Sequence, residues 1–149
     1  MYPKAKLKRN ARSQGEKRVN LMNSIQALIV DDSSVMRKIV ERSLRQAGIE
    51  LSKVFEAGNG SEALAVLEEN RVELILCDIN MPVMGGLEFV KQLSGVKNAK
   101  GVPVVMITTE GSESHVLQAL SAGAGGYIRK PFTPDQVKEH VIPLLAVKA

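Results

Sequence analysis

The chain has 149 residues, of which 44% are hydrophobic, and a formal net charge of +4. This length suits one globular domain that buries about two-thirds of the surface exposed by its unfolded chain. No run approaches the roughly 20 apolar residues of a membrane span, and the N-terminus lacks the apolar segment of a signal peptide. We therefore expect no membrane insertion and a cytoplasmic location. The single cysteine, Cys77, excludes an internal disulfide and is interpreted as a small core residue.

Residues 1–24 form the first predicted segment, a basic flexible arm. They hold seven Lys or Arg and one Glu, a balance of +6, so the remaining 125 residues sum to −2. The segment has no sustained apolar period, whereas residues 25–149 do and are predicted to form the globular domain. Met22 near the end of the arm leaves two interpretations open: a solvated extension upstream of the true start, or a basic arm for an anionic partner. Since the folded part carries no positive excess, nucleic-acid binding is not expected of it.

Five short apolar runs after the arm predict five strands, and the segments between them have apolar residues at helical spacing. The runs are nearly continuous rather than alternating, which is typical of parallel strands covered by helices on both faces. Five successive strand–helix units therefore predict an α/β fold. The runs span residues 25–30, 52–57, 72–77, 102–107 and 126–128.

Turn and capping residues agree with this division of the chain. Gly48 is placed to close the first helix, residues 59–61 (Asn-Gly-Ser) to open the second, and the glycine pair 85–86 to precede the third. The last helix is predicted to start at the Thr-Pro pair 133–134. Pro143 falls late in that helix, where we expect it to kink or weaken the final turn.

Polar residues follow the apolar runs, and in an open parallel sheet ligands bind beyond the carboxyl ends of the strands. Each of them also has a structural interpretation on its own: a cap of the first helix for Asp32 or Ser33, an ordinary strand-end hydroxyl, a solvated ammonium. Together they predict a polar cluster at one edge of the sheet. Its members are Asp31, Asp32, Asp78, Thr108 and Lys130.

Three carboxylates in such a cluster repel one another. At ~4 Å each pair costs about 1 kcal/mol in water and about 4 kcal/mol at an effective dielectric constant of 20. One ammonium cannot balance three negative charges, and all candidate ligands are oxygens, which favours a hard divalent cation, Mg²⁺ before Ca²⁺. Mg²⁺ usually completes its shell with water and phosphate oxygens, so the cluster predicts a phosphoryl group. Thr108 would donate a hydrogen bond to it and Lys130 a positive charge.

A resemblance to a known family is carried by four stretches: LIVDDSSVMRKIV, CDINMPVMGGLEFV, VVMITTE and AGAGGYIRKPFTP. With these motifs in register, residues 25 to 145 resemble the receiver domain of two-component response regulators. Within that family the single-domain chemotaxis regulators are the most similar. The resemblance implies a flavodoxin-like (βα)5 fold, a doubly wound parallel sheet with strand order 2-1-3-4-5.

The resemblance also implies roles for the acidic residues. Asp78 matches the phosphoacceptor, which takes a phosphoryl group from a phosphohistidine of a sensor histidine kinase. Asp32 and Asp78 would bind Mg²⁺ directly, with Mn²⁺ as an alternative ion. The backbone carbonyl of Asn80 would be a third ligand, and Asp31 would act through water. The Asn80 side chain and Glu110 would tune the access of hydrolytic water.

Other matching residues imply a switch. Thr108 and Tyr127 match the pair that couples phosphorylation to an output surface, expected over residues 111–140 around the fourth helix, fifth strand and fifth helix. Lys130 matches the family's phosphoryl-binding ammonium. The Lys130–Pro131 peptide bond is expected to be cis, against a base rate of about 5–6% for such bonds.

Several functions remain open at this point. We expect no effector domain after the last predicted helix, and therefore output through a downstream protein such as a motor component, or transfer of the phosphoryl group to a histidine phosphotransfer protein. A Mg²⁺-dependent phosphohydrolase is disfavoured, because such enzymes usually have an Asp two residues after the nucleophile and this chain has Asn80. We expect no enzyme activity beyond the protein's own phosphorylation and dephosphorylation. His115 and His140 have no motif around them and are interpreted as surface residues.

Overall fold

The computed structural model describes residues 24–109 and 113–148, with side chains through residue 145. The predicted basic arm lies outside the described residues apart from Ser24, so the division into arm and domain stays a prediction. Among the described residues, none of the helices combines the length and the hydropathy that crossing a membrane would require.

Five parallel strands form one sheet in the order β2-β1-β3-β4-β5, which confirms the predicted topology. The three inner strands β1, β3 and β4 each carry four consecutive buried apolar residues, as burial on both faces requires. The strands are β1 (Ile25–Val30), β2 (Leu51–Ala57), β3 (Leu74–Asp78), β4 (Val104–Thr108) and β5 (Gly126–Arg129).

The helices begin where the sequence places capping side chains. The hydroxyl of Ser33 accepts a hydrogen bond from the Met36 amide at 3.1 Å, so Ser33 rather than Asp32 caps the first helix. Asn59 and Thr133 cap the second and fifth helices in the same way. The helices are α1 (Ser34–Gln46), α2 (Gly60–Glu69), α3 (Gly86–Leu93), α4 (Glu113–Ser121), α5 (Pro134–His140) and α6 (Ile142–Lys148), with a 3-10 turn at Lys97–Ala99.

Some predicted boundaries were wrong. β3 and β4 each start two residues later than predicted and end one residue later, because their pairing continues to Asp78 opposite Ile107. Asp78 and Thr108 are therefore the last residues of their strands rather than the residues that follow. The predicted fifth helix is two helices, since α5 ends at His140 and Pro143 lies in the first turn of α6, where its missing amide hydrogen is tolerated.

Successive side chains along each strand point to opposite faces of the sheet, and each face has its own apolar core. Leu28 of β1 packs with α2, α3 and α4, including Phe89, on one face. Ile29 packs on the other face with α1, α5 and α6, including Leu44 and Val137. The helices cover the faces and leave the carboxyl edge of the strands open, which is where the predicted polar residues lie.

Candidate metal centre

Three carboxylates meet at the carboxyl ends of β1 and β3. Asp31 and Asp32 directly follow β1, and Asp78 ends β3. Because Val30 pairs with Cys77, Asp31 and Asp78 stand side by side. One carboxylate oxygen from each of the three residues lies within 4.8 Å of the others, with Asp31 and Asp78 buried and Asp32 exposed.

Lys130 extends into this cluster from the far side of β4. It follows β5, and its Nζ atom is 3.4 Å from Oδ2 of Asp78 and 3.8 Å from Oδ2 of Asp31. Its side chain is only 25% exposed, so it is not a simple solvated charge. The Lys130–Pro131 peptide bond is cis. With one ammonium against three carboxylates, the cluster keeps an excess of negative charge.

Burial dominates the electrostatics of the two inner carboxylates. It raises the pKa of Asp78, while the neighbouring Lys130 ammonium opposes the rise. Burial also raises the pKa of Asp31; the hydrogen bond from the Ser33 amide opposes that rise and the charge of Asp78 adds to it. The charged forms of both groups are therefore disfavoured by the fold itself, and a bound cation would relieve this.

Asp31 has one polar atom without a hydrogen bond. Its amide donates to the Ala57 carbonyl at 3.0 Å, and its Oδ1 accepts from the Ser33 amide at 2.9 Å. Its carbonyl accepts from Arg37, whereas Oδ2 is buried and has no hydrogen-bond partner in the part of the chain that the structure describes. Buried acceptors are rarely left in this state. All the potential ligands in the cluster are oxygens, and the buried Oδ2 of Asp31 lacks a hydrogen bond. This arrangement fits a hard divalent cation, bound directly or through water.

The loop after β3 holds Asp78 close to α3. The Gly86 amide donates to the Ile79 carbonyl at 2.9 Å, and a Cβ atom at Gly86 would collide with the Asp78 carbonyl and lie 2.8 Å from Cε of Met106. Only glycine lets α3 start this close to the strand end. Asn80 begins the loop with an exposed side chain, two residues beyond Asp78.

Thr108 and Tyr127 lie on neighbouring strands. Thr108 is buried, and its hydroxyl donates to the Thr109 carbonyl at 3.1 Å. Tyr127 pairs with Met106, two residues before Thr108, so both side chains project from the same face of the sheet. Tyr127 is 43% exposed. Glu110 lies outside the described residues, so its role stays a prediction.

Two features of the site were not singled out from the sequence. Arg37 in α1 pairs with Glu56 of β2 and also donates to the Asp31 carbonyl. The available signal was a basic residue one turn inside the helix that follows an acidic pair. Val83, in the loop after Asn80, has a positive φ of 68°, which a β-branched residue rarely adopts. No sequence signal indicates that conformation, because Asn or Gly would be expected there.

Comparison with known proteins identifies the family. The family model of the response regulator receiver domain matches residues 27–142. The chain belongs to the response regulator receiver family. The carboxylate cluster lies at the carboxyl edge of this receiver domain, inside the matched region.

The curated relatives of this receiver domain include chemotaxis proteins. The chain is 44% identical to a chemotaxis protein CheY homolog of Campylobacter jejuni over 119 residues, which cover 79% of this chain and 90% of the relative. It is 45% identical to chemotaxis protein CheY1 of Helicobacter pylori over 113 residues, covering 75% and 90%. Among solved structures, the chemotaxis response regulator CheY4 of Vibrio cholerae matches with a TM-score of 0.68 and 38% identity, covering 78% of this chain and 95% of that chain. The protein is thus a CheY-like receiver of two-component signalling.

Proposed function

We propose that this receiver accepts a phosphoryl group on Asp78 from a phosphohistidine of a sensor histidine kinase, in a reaction that requires Mg²⁺. Mn²⁺ is the alternative ion. The observation that carries the proposal is the meeting of Asp31, Asp32 and Asp78 with the Lys130 ammonium at the open edge of the sheet. In phosphoryl transfer, positive charge must stabilise the phosphoryl oxygens. Here the Lys130 ammonium and a cation held by the carboxylates would supply that charge.

The chemistry assigned to Asp78 is nucleophilic. One carboxylate oxygen attacks the phosphorus atom, the phosphorus–nitrogen bond breaks, and its electron pair returns to the imidazole, which takes up a proton. The product on the protein is a mixed anhydride of Asp78 and phosphate. Attack requires the ionised carboxylate. Burial raises the pKa of Asp78 and so disfavours this form, whereas the Lys130 ammonium beside Oδ2 favours it.

The cation would be held by Asp32, Asp78 and the backbone carbonyl of Asn80, with Asp31 acting through water. When bound, the ion neutralises charge on the phosphoryl oxygens. The unsatisfied Oδ2 of Asp31 supports this assignment, because a metal-bound water would supply the hydrogen bond that this atom lacks.

Thr108 and Lys130 would bind the phosphoryl oxygens once the group is attached. The Thr108 hydroxyl donates to the Thr109 carbonyl, so it must rotate to reach a phosphoryl group on Asp78. Asn80, beside Asp78, and Glu110 would set how readily water reaches the anhydride.

We further propose that phosphorylation switches binding to a downstream protein through the surface formed by α4, β5 and α5. This surface exposes Leu117, at 65%, and Tyr127, at 43%, which are apolar or aromatic side chains suited to a protein contact. Rotation of Thr108 toward the phosphoryl group would vacate space behind it, and the Tyr127 ring would follow inward. The CheY names of the relatives favour a chemotaxis partner such as a motor component.

Intact-protein mass spectrometry after incubation with acetyl phosphate and Mg²⁺ tests the phosphoacceptor. We expect one labile phosphoryl adduct on the wild type, none on Asp78→Asn, and none after EDTA treatment. Asp135→Asn is the matched control, because Asp135 is a carboxylate in the first turn of α5 and is not a member of the cluster. An adduct that persists in Asp78→Asn, or absence of any adduct on folded wild type, would contradict the proposal.

The same phosphorylated protein separates the two outputs left open by the sequence. Tighter binding of a motor component after phosphorylation supports the switch. Loss of the adduct to a histidine phosphotransfer protein, with no gain in affinity for a motor component, would instead assign the chain to a phosphorelay.

A further inference from the structure

Arg37 joins three parts of the fold around the acidic pair. Its Nε atom donates to Oε1 of Glu56 at 2.7 Å, and its Nη1 atom donates to the Asp31 carbonyl at 2.5 Å. The Glu56 carboxylate is itself held by a second hydrogen bond, from Lys38 at 3.0 Å. The Arg37 side chain is only 18% exposed, so these contacts lie in a largely enclosed position between α1, β2 and the loop after β1.

The Asp31 carbonyl belongs to the peptide group that links Asp31 to Asp32. A peptide group is planar, so a contact that restrains its oxygen also restrains the nitrogen and Cα of Asp32. On the other side, the Asp31 amide is paired with Ala57 of β2. Asp32 is exposed, so packing contributes little to its placement, and the orientation of this peptide group sets the position from which its side chain extends.

We propose that Arg37 is a positioning residue for the cation site: it orients the Asp31–Asp32 peptide group and thereby sets the two carboxylates relative to Asp78. The inference depends on the metal-binding part of the proposed function. Arg37 touches neither the ion nor the phosphoryl group. The guanidinium suits this role because its planar fork can donate to a carboxylate and a carbonyl at the same time, which a lysine ammonium cannot do with the same geometry.

Charge and position predict opposite effects for the loss of Arg37. Removing a positive charge near a cation site strengthens cation binding if only electrostatics act. Losing a contact that orients the metal ligands weakens cation binding. Removing such a contact to a ligand typically lowers metal affinity by about tenfold or more. The sign of the change in affinity therefore distinguishes a positioning role from a charge effect.

The test is Mn²⁺ binding to the full-length, unphosphorylated protein, measured by titration calorimetry on the wild type and on Arg37→Ala, Lys38→Ala and Glu56→Gln. We expect Mn²⁺ to bind about tenfold more weakly to Arg37→Ala. Lys38→Ala loses a charge and a contact to Glu56, and Glu56→Gln loses the ion pair but keeps an acceptor oxygen. Both retain the donor at the Asp31 carbonyl, so both are expected to bind Mn²⁺ as the wild type does.

Urea unfolding of each variant verifies that the measured protein is folded. If Arg37→Ala does not fold, Arg37→Lys takes its place, since it keeps the charge and cannot span both acceptors, and weaker Mn²⁺ binding is again expected. Unchanged or tighter Mn²⁺ binding without Arg37 would overturn the proposal, as would an equal loss in Glu56→Gln.

Phosphorylation of the wild type by acetyl phosphate is measured in parallel, so that the two ideas fail separately. If the wild type is phosphorylated and Arg37→Ala binds Mn²⁺ normally, only the positioning role of Arg37 is contradicted. If the wild type neither binds Mn²⁺ nor is phosphorylated, both the proposed function and the positioning role are contradicted.

Discussion

The ring of Tyr127 on β5 lies nearly parallel to the imidazole of His140 on α5, with ring centroids 6.3 Å apart and 20° between their planes. His140 is exposed, as predicted, but its contact with Tyr127 was not. An inward movement of Tyr127 would break this stack. The stack therefore stabilises the outward ring, together with the Thr108 hydroxyl bonded to Thr109.

His140→Ala is expected to shift Tyr127 toward the inward position. An aromatic pair of this kind contributes about 0.5–1.5 kcal/mol, which changes the ratio of two positions by roughly twofold to tenfold. Ring resonances of Tyr127 measured by NMR, in a Tyr2→Phe background that leaves one tyrosine, report the shift. His115→Ala on α4 is the control, and identical Tyr127 resonances in both histidine variants would refute the expectation.

Replacing Asp78 by Asn should stabilise the protein when no divalent cation is present. One of three mutually repelling carboxylates is removed, and Lys130 keeps Asp31 as its partner. The expected gain in the free energy of unfolding is about 1 kcal/mol, the cost of one carboxylate pair at ~4 Å in water. Urea unfolding in EDTA measures this gain, and added Mg²⁺ should stabilise the wild type more than the variant. Asp135→Asn is the control; a destabilised Asp78→Asn would contradict the prediction.

Glu56 should make part of the stability depend on pH. Hydrogen bonds from Arg37 and Lys38 lower the pKa of Glu56 below its ordinary value of 4.5. A carboxyl group with a lowered folded pKa adds stability above the unfolded pKa, and this contribution disappears as the pH falls through the folded pKa. The stability difference between wild type and Glu56→Gln should therefore be present at neutral pH and shrink below about pH 4.5.

Urea unfolding at a series of pH values checks this dependence. Glu68→Gln, at an exposed position of α2 that forms no ion pair with the described residues, controls for the loss of one negative charge. A Glu56→Gln difference that stays constant down to low pH would show that the pKa is not lowered in the fold.

Val83→Asn should stabilise the protein. Val83 is 87% exposed with a φ of 68°, so its side chain contributes little packing to offset the backbone strain. An L-residue in this region costs roughly 1–2 kcal/mol, and Asn tolerates it better, so we expect a gain of about 1 kcal/mol in urea unfolding. The matched control is Val35→Asn, because Val35 is a 68% exposed valine in the ordinary helical conformation of α1. Equal effects at both positions would exclude strain as the cause.

Cys77 should be inert toward thiol reagents in the folded protein. It is fully buried in β3, and burial together with the nearby Asp78 charge raises the pKa of its thiol well above the ordinary value. As it is the sole cysteine, labelling reports one site. We expect labelling only in urea concentrations that unfold the sheet; stoichiometric labelling of native protein would contradict the buried position.

The sequence predicts the sheet and most of the cluster because those features depend on local patterns. Apolar runs such as residues 25–30 specify strands, and parallel topology alone brings Asp31 and Asp78 to one edge. The boundaries of β3 and β4 were predicted less well, since hydrogen-bonded pairing extends past the last apolar residue to Asp78 and Thr108.

Contacts that depend on how two elements pack were not predicted. Arg37 reaches the Asp31 carbonyl only because α1 lies against β2 at a particular distance, and helical spacing does not determine that distance. The Tyr127–His140 stack likewise needs the placement of α5 beside β5. Both contacts join different elements of the fold, so a pattern within one element does not predict them.

The short strand β5 carries both ends of the proposed switch. Tyr127 is its second residue and Lys130 directly follows its last, so about 10 Å of extended backbone separates the group that meets the phosphoryl oxygens from the ring at the output surface. Within the part of the chain that the structure describes, β5 is an edge strand whose one neighbour is β4. A small displacement of β5 would therefore disturb one ladder of hydrogen bonds, the ladder with β4. Under the proposed switch, a movement of Lys130 toward the phosphoryl group would reach Tyr127 through three residues of one edge strand, without rearranging the centre of the sheet.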